Sequence, residues 1–362
     1  MPVCVPIVIE LLLMKRLFKS QNGIALLLVL WVLTILSVIV GEFCYTMRAE
    51  VNITRNFKED TQAYYIALAG LNRAIAEVVK MEILPKKSAS SEDEGEQGEI
   101  IWRVNTDIPP TQFAGGEYRV SIENESGKIN INTADQRLLK MMLDGFDLEE
   151  GEKDVIADSI LDWRDKNNLH RLNGAEDDYY HSLPEPYECK DDDFDAPEEL
   201  LLVRGVTPEI FYGGLKEMVT VYKDDKPTPV KRQTSKTRAR HRKKTKKTKA
   251  GFNKISINAA SPQVLQSLPG MTDDLADEIV EYRKEKDFKS LTELLPILGS
   301  EVYGSVLPFL TLKMQPYYTI KSMGMVEDSK TRQGIMSMIK IDRKAGKGYR
   351  IIECLDSPAF GG

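Results

Sequence analysis

The chain has 362 residues, of which 42% are hydrophobic and 29% are charged, and its formal net charge is −6. These values are ordinary for globular protein, and the length allows two or three modest domains besides any membrane segment. The four cysteines are scattered, so a small disulfide-stabilised fold is excluded. Pairing of Cys189 with Cys354 stays open, although free cysteines are the simpler interpretation.

An uncharged apolar segment lies near the N-terminus. Residues 24–40 read IALLLVLWVLTILSVIV and follow a leader that contains Lys15, Arg16 and Lys19. A run of this length is at the short end of what spans a bilayer as a helix, and the basic leader predicts a cytoplasmic N-terminus. We therefore predict a transmembrane helix over residues 24–41. A secretory signal peptide would have its cleavage site after the apolar core, whereas Gly23 comes before it.

The helical pattern continues beyond Gly41 and becomes amphipathic. Apolar residues recur at roughly helical spacing over residues 42–80, and no proline interrupts residues 24–80. One long helix with an apolar first half and a half-buried second half is predicted. The alternative is a plain membrane anchor with a helical stalk.

Two segments are too polar to bury a core. Residues 86–98 are small and acidic and are predicted to form a surface loop. Residues 231–249 contain eleven Lys or Arg in nineteen positions. We predict that this run lies in a disordered linker over residues 223–252, and contact with nucleic acid, anionic lipid or an acidic partner is the alternative.

Three short units between these segments resemble one another. The first begins at Gly127-Lys128-Ile129-Asn130, the second at Pro197, and the third at Lys254-Ile255-Ser256-Ile257. Asn, Ser and Asp near the start of a helix cap its free N–H groups. In the first and third units, Asn132-Thr133-Ala134 and Asn258-Ala259-Ala260 are therefore predicted to end a short extended stretch and to cap the helix that follows. Helix, tight glycine turn and helix form the helix-hairpin-helix pattern, which predicts two inserted helical domains over residues 127–222 and 253–315.

Carboxylates crowd into residues 161–204. Such a cluster repels itself unless a hard cation joins it, and Ca²⁺ takes six to eight oxygen ligands in irregular loops. Asp165-Lys166-Asn167 begins like a calcium loop but does not complete the twelve-residue EF-hand pattern. Chemistry alone leaves a cation site and a solvated acidic loop equally open.

Alternating residues predict strands on both sides of the helical units. Tyr118–Ile122 precedes them, and 318–323, 334–341 and 349–352 follow them. The predicted fold class is α+β, with a long N-terminal helix packed on a small antiparallel sheet formed by residues 100–126 and 316–356. Helix-hairpin-helix or SAM-like units would be inserted between the strands.

The N-terminus resembles the type IV pilins and pseudopilins, on Lys19-Ser20-Gln21-Asn22-Gly23 and the following Ile24–Trp31. Residues 1–23 would then be a prepilin leader, which a prepilin peptidase removes after Gly23 before Ile24 is methylated. Most members have glutamate as the fifth mature residue, where this chain has Leu28. The pseudopilin K family of type II secretion is hydrophobic there.

The acidic segment is also similar to the pseudopilin K family, on Asp162-Trp163, Gly174-Ala175-Glu176-Asp177 and Glu199-Leu200. The resemblance implies a structural Ca²⁺ ion. The ligand positions that it implies are Asp165, Asn167, Glu176, Asp177 and, as a weaker candidate, Asp191.

The resemblance implies a minor pseudopilin at the tip of the pseudopilus, where it would help to initiate assembly for protein export. It would be anchored by one helix in the bacterial inner membrane, with a periplasmic globular domain. The implied partners are the prepilin peptidase and, through the long helix, the I- and J-like minor pseudopilins.

The principal alternative is a membrane-anchored DNA-binding protein, because residues 254–299 also resemble the helix-hairpin-helix domain of competence receptors. In DNA-binding versions the turn usually reads Gly-hydrophobic-Gly, whereas here Thr207 and Thr272 occupy the third position. Acidic residues in the neighbouring helices would repel phosphates. Nucleic acid is therefore an unfavoured partner.

No catalytic motif is evident. The three histidines, His170, His181 and His241, lie in the acidic or basic polar runs, and neither a glycine-rich phosphate loop nor a nucleophile elbow is present. We predict that the chain is not an enzyme.

Overall fold

The computed structural model describes residues 21–83, 102–106, 108–222 and 254–357. The predicted acidic loop at 86–98, the basic linker at 223–252 and leader residues 1–20 lie outside this part of the chain.

The helices of the described residues are one long N-terminal helix and eight shorter ones. They are α1 (Gln21–Ile83), α2 (Gln136–Leu143), α3 (Glu150–Trp163), α4 (Asp177–Tyr180), α5 (Pro208–Ile210), α6 (Lys216–Met218), α7 (Pro262–Gln266), α8 (Asp273–Glu285) and α9 (Leu295–Val306). Single 3₁₀ turns occur at Glu125–Gly127, Pro197–Leu202, Leu291–Leu294 and Leu307–Phe309, and a π turn spans Phe211–Leu215.

The described strands are three long ones that complete a sheet after the helical units and six that come earlier. They are β1 (Thr111–Gln112), β2 (Gly116–Asn124), β3 (Ile129–Asn130), β4 (Val219–Thr220), β5 (Ile255–Ser256), β6 (Leu310–Thr311), β7 (Tyr317–Val326), β8 (Arg332–Ile341) and β9 (Tyr349–Ser357).

Helix α1 extends through two compact units of the chain, which divide between Gln62 and Ala63. In the first unit, the side chains from Ile24 to Val40 are exposed and none is charged. Such a surface is unfavourable in water and favourable in lipid.

In the second unit, residues 63–83 of α1 pack on a five-stranded antiparallel sheet of order β1-β2-β7-β8-β9. Ile66, Leu71 and Val78 lie on the buried face of the helix, and Ile122, Ile320 and Ile339 lie on the facing strands. Alternating burial along β2 produces this one-sided core, as the sequence pattern predicts. The α+β fold with a helix on an antiparallel sheet is confirmed.

The backbone of α1 approaches the sheet very closely at one point. A Cβ atom added to Gly324 of β7 would lie 2.1 Å from the Ala63 carbonyl oxygen, and Ser322 Oγ donates a 2.7 Å hydrogen bond to the Ala67 carbonyl. Only glycine fits at position 324 because the nearest atoms belong to the helix backbone, which cannot rotate away.

Both helical units are inserted between β2 and β7, which are hydrogen-bonded neighbours in the sheet. Each unit is closed by a short parallel pair of strands, β3 with β4 and β5 with β6. Their apolar side chains belong to one continuous hydrophobic core, which includes Leu139, Phe211, Leu265 and Val306. The two units are therefore packed together as one helical body.

The two units repeat the same polar contacts. Asn132 exchanges two hydrogen bonds with the backbone of Phe194, and Asn258 makes the same pair with Phe288 at 2.9 and 3.0 Å. An arginine side chain fixes the preceding turn in each unit: Arg164 donates to Ile131 and Ala134, and Arg283 to Ile257 and Ala260. The equivalence identifies an internal structural repeat.

The helix caps differ in part from the sequence interpretation. Asp135 and Ser261 cap α2 and α7, and Thr272 caps α8. Asn132 and Asn258 instead hold the distant phenylalanine backbone. The glycine turns behave as predicted, since Gly205 and Gly270 have φ of 87° and 74°, which favours glycine.

Candidate metal centre in the acidic loop

The acidic loop follows α3 and lies on a floor of packed aromatic rings. Trp163 at the end of α3 packs edge-on against Tyr180 at 5.2 Å and is stacked with Phe194 at 6.4 Å. Tyr180 is in turn stacked on Tyr187 at 5.2 Å. Because these rings come from both ends of the loop, they fix residues 164–193 against the core of the first helical unit, residues 127–222.

One arginine neutralises the first carboxylates of the loop. Arg171 donates to the buried Asp162 through its backbone N–H at 3.0 Å and through its guanidinium Nη1. This Nη1 atom also donates to Asp165 Oδ2 at 2.7 Å. Burial nevertheless raises the pKa of Asp162 above its usual value. A Cβ atom at Gly174 would lie 1.8 Å from Asp162 Oδ2, so glycine is needed where the loop passes this ion pair.

Glu176 is also buried, but it has no ion-pair partner among the described residues. The residue is 2% exposed, and neither carboxylate oxygen has a hydrogen-bond partner within the described structure. Burial, followed by the charges of Asp162, Asp191 and Asp165, raises the pKa of Glu176 to about 7. A buried carboxylate in this state is costly without a cation or donor.

Asp191 and Cys189 complete the cluster around Glu176. One oxygen or sulfur atom from each of Glu176, Cys189 and Asp191 lies within 4.8 Å of the others. Asp191 Oδ1 is also buried without a hydrogen-bond partner in the described residues. Burial raises the pKa of Asp191, and it raises the pKa of the Cys189 thiol to about 12.

The other predicted ligands lie in the same loop with partners of their own. Asp165 Oδ1 accepts from the backbone N–H of Asn167 at 3.1 Å, and Asn167 Oδ1 accepts from Leu169. Asp177 accepts from the Cys189 backbone at 2.7 Å and from Asn168 at 3.1 Å. The structure thus brings Glu176 and Asp191 together, and it places Asp165, Asn167 and Asp177 in hydrogen bonds that order the surrounding turns.

The arrangement fits a divalent cation through its oxygen atoms. The unpartnered oxygens of Glu176 and Asp191 are hard donors of the kind that Ca²⁺ prefers, while the Cys189 thiol is not a calcium ligand. Cys189 escapes prediction from sequence because a lone cysteine thirteen positions after Glu176 matches no ligand spacing.

The chain also contains a segment suited to a membrane. Among the described residues, one helix, over Ile24–Ile83, is long and apolar enough to cross a bilayer by length and composition. Gly23 and Ile24, the predicted processing residues, lie within the first turn of α1.

Comparison with known proteins agrees with this architecture. Residues 120–224, which include β3, α3 and the acidic loop, match the family model "Type II secretion system (T2SS), protein K". A type II secretion system protein K from Pseudomonas aeruginosa is 25% identical over 299 residues, which cover 78% of this chain and 79% of that relative. The chain is thus similar to the type II secretion system protein K family over its inserted unit and over most of its length. Protein K of Aeromonas hydrophila is 24% identical over 227 residues, 58% of this chain and 66% of that relative.

Two further comparisons concern the second helical unit and the fold of the chain. Residues 251–311 match the family model "Helix-hairpin-helix motif". The chain shares its fold with a chain in the crystal structure of the GspK-GspI-GspJ complex from enterotoxigenic Escherichia coli, at a TM-score of 0.51 and 15% identity, covering 86% of this chain and 99% of the other.

Proposed function

We propose that this protein belongs to the type II secretion system protein K family and is a minor pseudopilin, a non-catalytic tip subunit that helps to initiate pseudopilus assembly for protein export. The observation that carries the proposal is the match of residues 120–224 to the protein K model, in the unit that is inserted into the helix-on-sheet core. This insertion adds bulk to a helix-on-sheet core, which suits a subunit that no other subunit covers.

The apolar part of α1 supports a single-pass anchor in the inner membrane, with the globular domain in the periplasm. The side chains of Ile24–Val40 present no charge to lipid, and the basic leader favours a cytoplasmic start. Cleavage after Gly23 and methylation of Ile24 belong to this proposal, and they would leave the apolar helix on the mature protein.

The partners in this proposal are I- and J-like minor pseudopilins, in keeping with the complex whose fold the chain shares. Large apolar side chains on α1 past Gly41, among them Phe43, Val51 and Phe57, are exposed. Such a surface is typical of a helix that packs against other helices.

The proposal also includes a structural divalent cation in the acidic loop, and Ca²⁺ is the ion that the resemblance implies. Glu176 and Asp191 would supply the unpartnered oxygens, and Asp165, Asn167 and Asp177 would stand at the margin of the site. The ion would offset the repulsion between buried carboxylates and stiffen the loop.

Isolation of the full chain in detergent from a cell that carries its own secretion system tests the assembly role. We expect I- and J-like pseudopilins to co-purify with it, and we expect deletion of its gene to abolish export of the system's substrates. Normal export in the deletion strain would contradict the proposal.

The DNA-binding alternative has the helix-hairpin-helix match in its favour. The first turn of α8 opposes it, because Asp273 and Asp274 stand where a phosphate would approach. Salt-dependent binding of duplex DNA by the full chain, together with normal export in the deletion strain, would favour this alternative.

A further inference from the structure

The cluster of Glu176, Cys189 and Asp191 contains a ligand that calcium does not use. Their nearest donor atoms, two carboxylate oxygens and one sulfur, lie within 4.8 Å of one another. Cys189 is 7% exposed, and its thiol lies close enough to influence the Glu176 carboxylate without making a hydrogen bond of normal geometry to it. The Cys189 sulfur is therefore one of the donor atoms that face one another in this cluster.

Glu176 is the observation that points to a bound cation. Its side chain is almost completely buried, and both oxygens lack a partner in the described residues. Arg171 forms ion pairs with Asp162 and Asp165, whereas the charged neighbours that raise the pKa of Glu176 are carboxylates. A buried carboxylate among like charges is stabilised best by a positive ion between them.

The chemistry of the donor set decides which ion binds most tightly. Zn²⁺ takes thiolate sulfur at about 2.3 Å and carboxylate oxygen at about 2.0–2.2 Å, commonly in a tetrahedron. Soft sulfur ligands favour Zn²⁺, whereas Ca²⁺ is held by oxygen alone. Three donors within 4.8 Å need to move together only slightly to enclose an ion of this size, and water can fill the fourth position.

We propose that Glu176, Cys189 and Asp191 form a Zn²⁺ site in which Cys189 binds as the thiolate. On binding, the Cys189 S–H proton is released to solvent and a sulfur–zinc bond forms, with no change of oxidation state. The proposal goes beyond the assembly role and the calcium site, since Zn²⁺ would compete with Ca²⁺ for Glu176 and Asp191 and only Zn²⁺ would also bind Cys189.

Titration of the untagged full chain in detergent with Co²⁺, a spectroscopic substitute for Zn²⁺, tests the site. We expect a sulfur-to-cobalt charge-transfer band that saturates at about one ion per chain and disappears when Zn²⁺ is added. Cys189→Ser should abolish the band. Cys354→Ser is the matched control, because Cys354 is an exposed free thiol on β9 and its loss should leave the band intact.

Asp191→Asn keeps the thiol and removes one charged ligand, so it tests the site without relying on the fold of the Cys189 variant. We expect at least a tenfold weaker affinity for Zn²⁺, measured by competition with Co²⁺. Absence of the band from the wild-type chain, its retention in Cys189→Ser, or an unchanged affinity in Asp191→Asn would each overturn the proposal.

Discussion

Glu176 combines burial, missing hydrogen bonds and neighbouring negative charges in one side chain. The sequence shows that the acidic loop is rich in oxygen donors, and Glu176 and Asp191 are among the ligand positions that the family resemblance implies. It does not predict that Arg171 neutralises Asp162 and Asp165, nor that Cys189 joins Glu176. Both contacts depend on how the loop folds back over Trp163 and Tyr180. The path of the loop cannot be predicted from the spacing of residues along the sequence.

Replacement of Glu176 by Gln separates two effects of the buried carboxylate on stability: its destabilisation of the chain without calcium and its contribution to calcium binding. Without calcium we expect the variant to be as stable as the wild type or more so, because an unpartnered carboxylate is removed. With Ca²⁺ at about 100 times its dissociation constant, the wild type should gain about 2.7 kcal/mol, or roughly 5–10 °C in Tm, and the variant should gain much less. Thermal unfolding of the full chain, with calcium and with chelator, measures both quantities.

The matched control for this experiment is Asp195→Asn, just past the end of the acidic loop. Asp195 is highly exposed and pairs with Lys190 at 2.7 Å, so its loss should leave the calcium-dependent gain unchanged. An equal calcium gain in the wild type and in Glu176→Gln would contradict the calcium site. The cobalt band of the wild-type chain reports on the Cys189 thiolate, so the Zn²⁺ site is tested whatever the outcome of the calcium experiment.

At the scale of elements, the acidic loop is an addition to one copy of a repeated unit. Asn132 and Phe194 are 62 positions apart, whereas Asn258 and Phe288 make the same contact across 30. The extra length of the first unit contains the loop. The sequence predicts the helices, the glycine turns and the similarity of the units. The asparagine contacts could not be predicted, because both phenylalanines lie far along the chain from the helix starts.

The contact of α1 with the sheet gives the prediction at this scale. Gly324→Ala would place a Cβ atom 2.1 Å from the Ala63 carbonyl oxygen and 2.5 Å from the Ala67 nitrogen, so the helix has to move off the sheet. We expect a loss of about 1–3 kcal/mol in the free energy of unfolding, measured with denaturant. Gly346→Ala is the control, since a Cβ there meets no atom within 4 Å. Equal stability of the two variants would show that α1 does not pack this closely.

At the scale of the whole molecule, the sheet is completed by segments from both sides of the helical units. Alternation predicts the strands, because one face of each is buried, and it predicts the antiparallel class. It cannot give the partners, because Ile122 pairs with Ile320 although both helical units lie between them in the sequence. Long-range pairing of this kind depends on the closed fold and not on any local propensity.

The last prediction concerns Leu28 and the place of the subunit in an assembly. In the proposed role nothing lies above this subunit, so a charge at the fifth mature residue has no neighbouring amino terminus to meet. Leu28→Glu should leave leader removal after Gly23 intact, as seen by the mass of the mature chain. It should lower export severalfold, because the buried carboxylate then lies unpaired among apolar helices. Leu28→Met keeps the apolar character and should export normally. Unchanged export by Leu28→Glu would count against the tip position. If leader removal were blocked, the loss of export would be explained by failed cleavage and not by failed assembly.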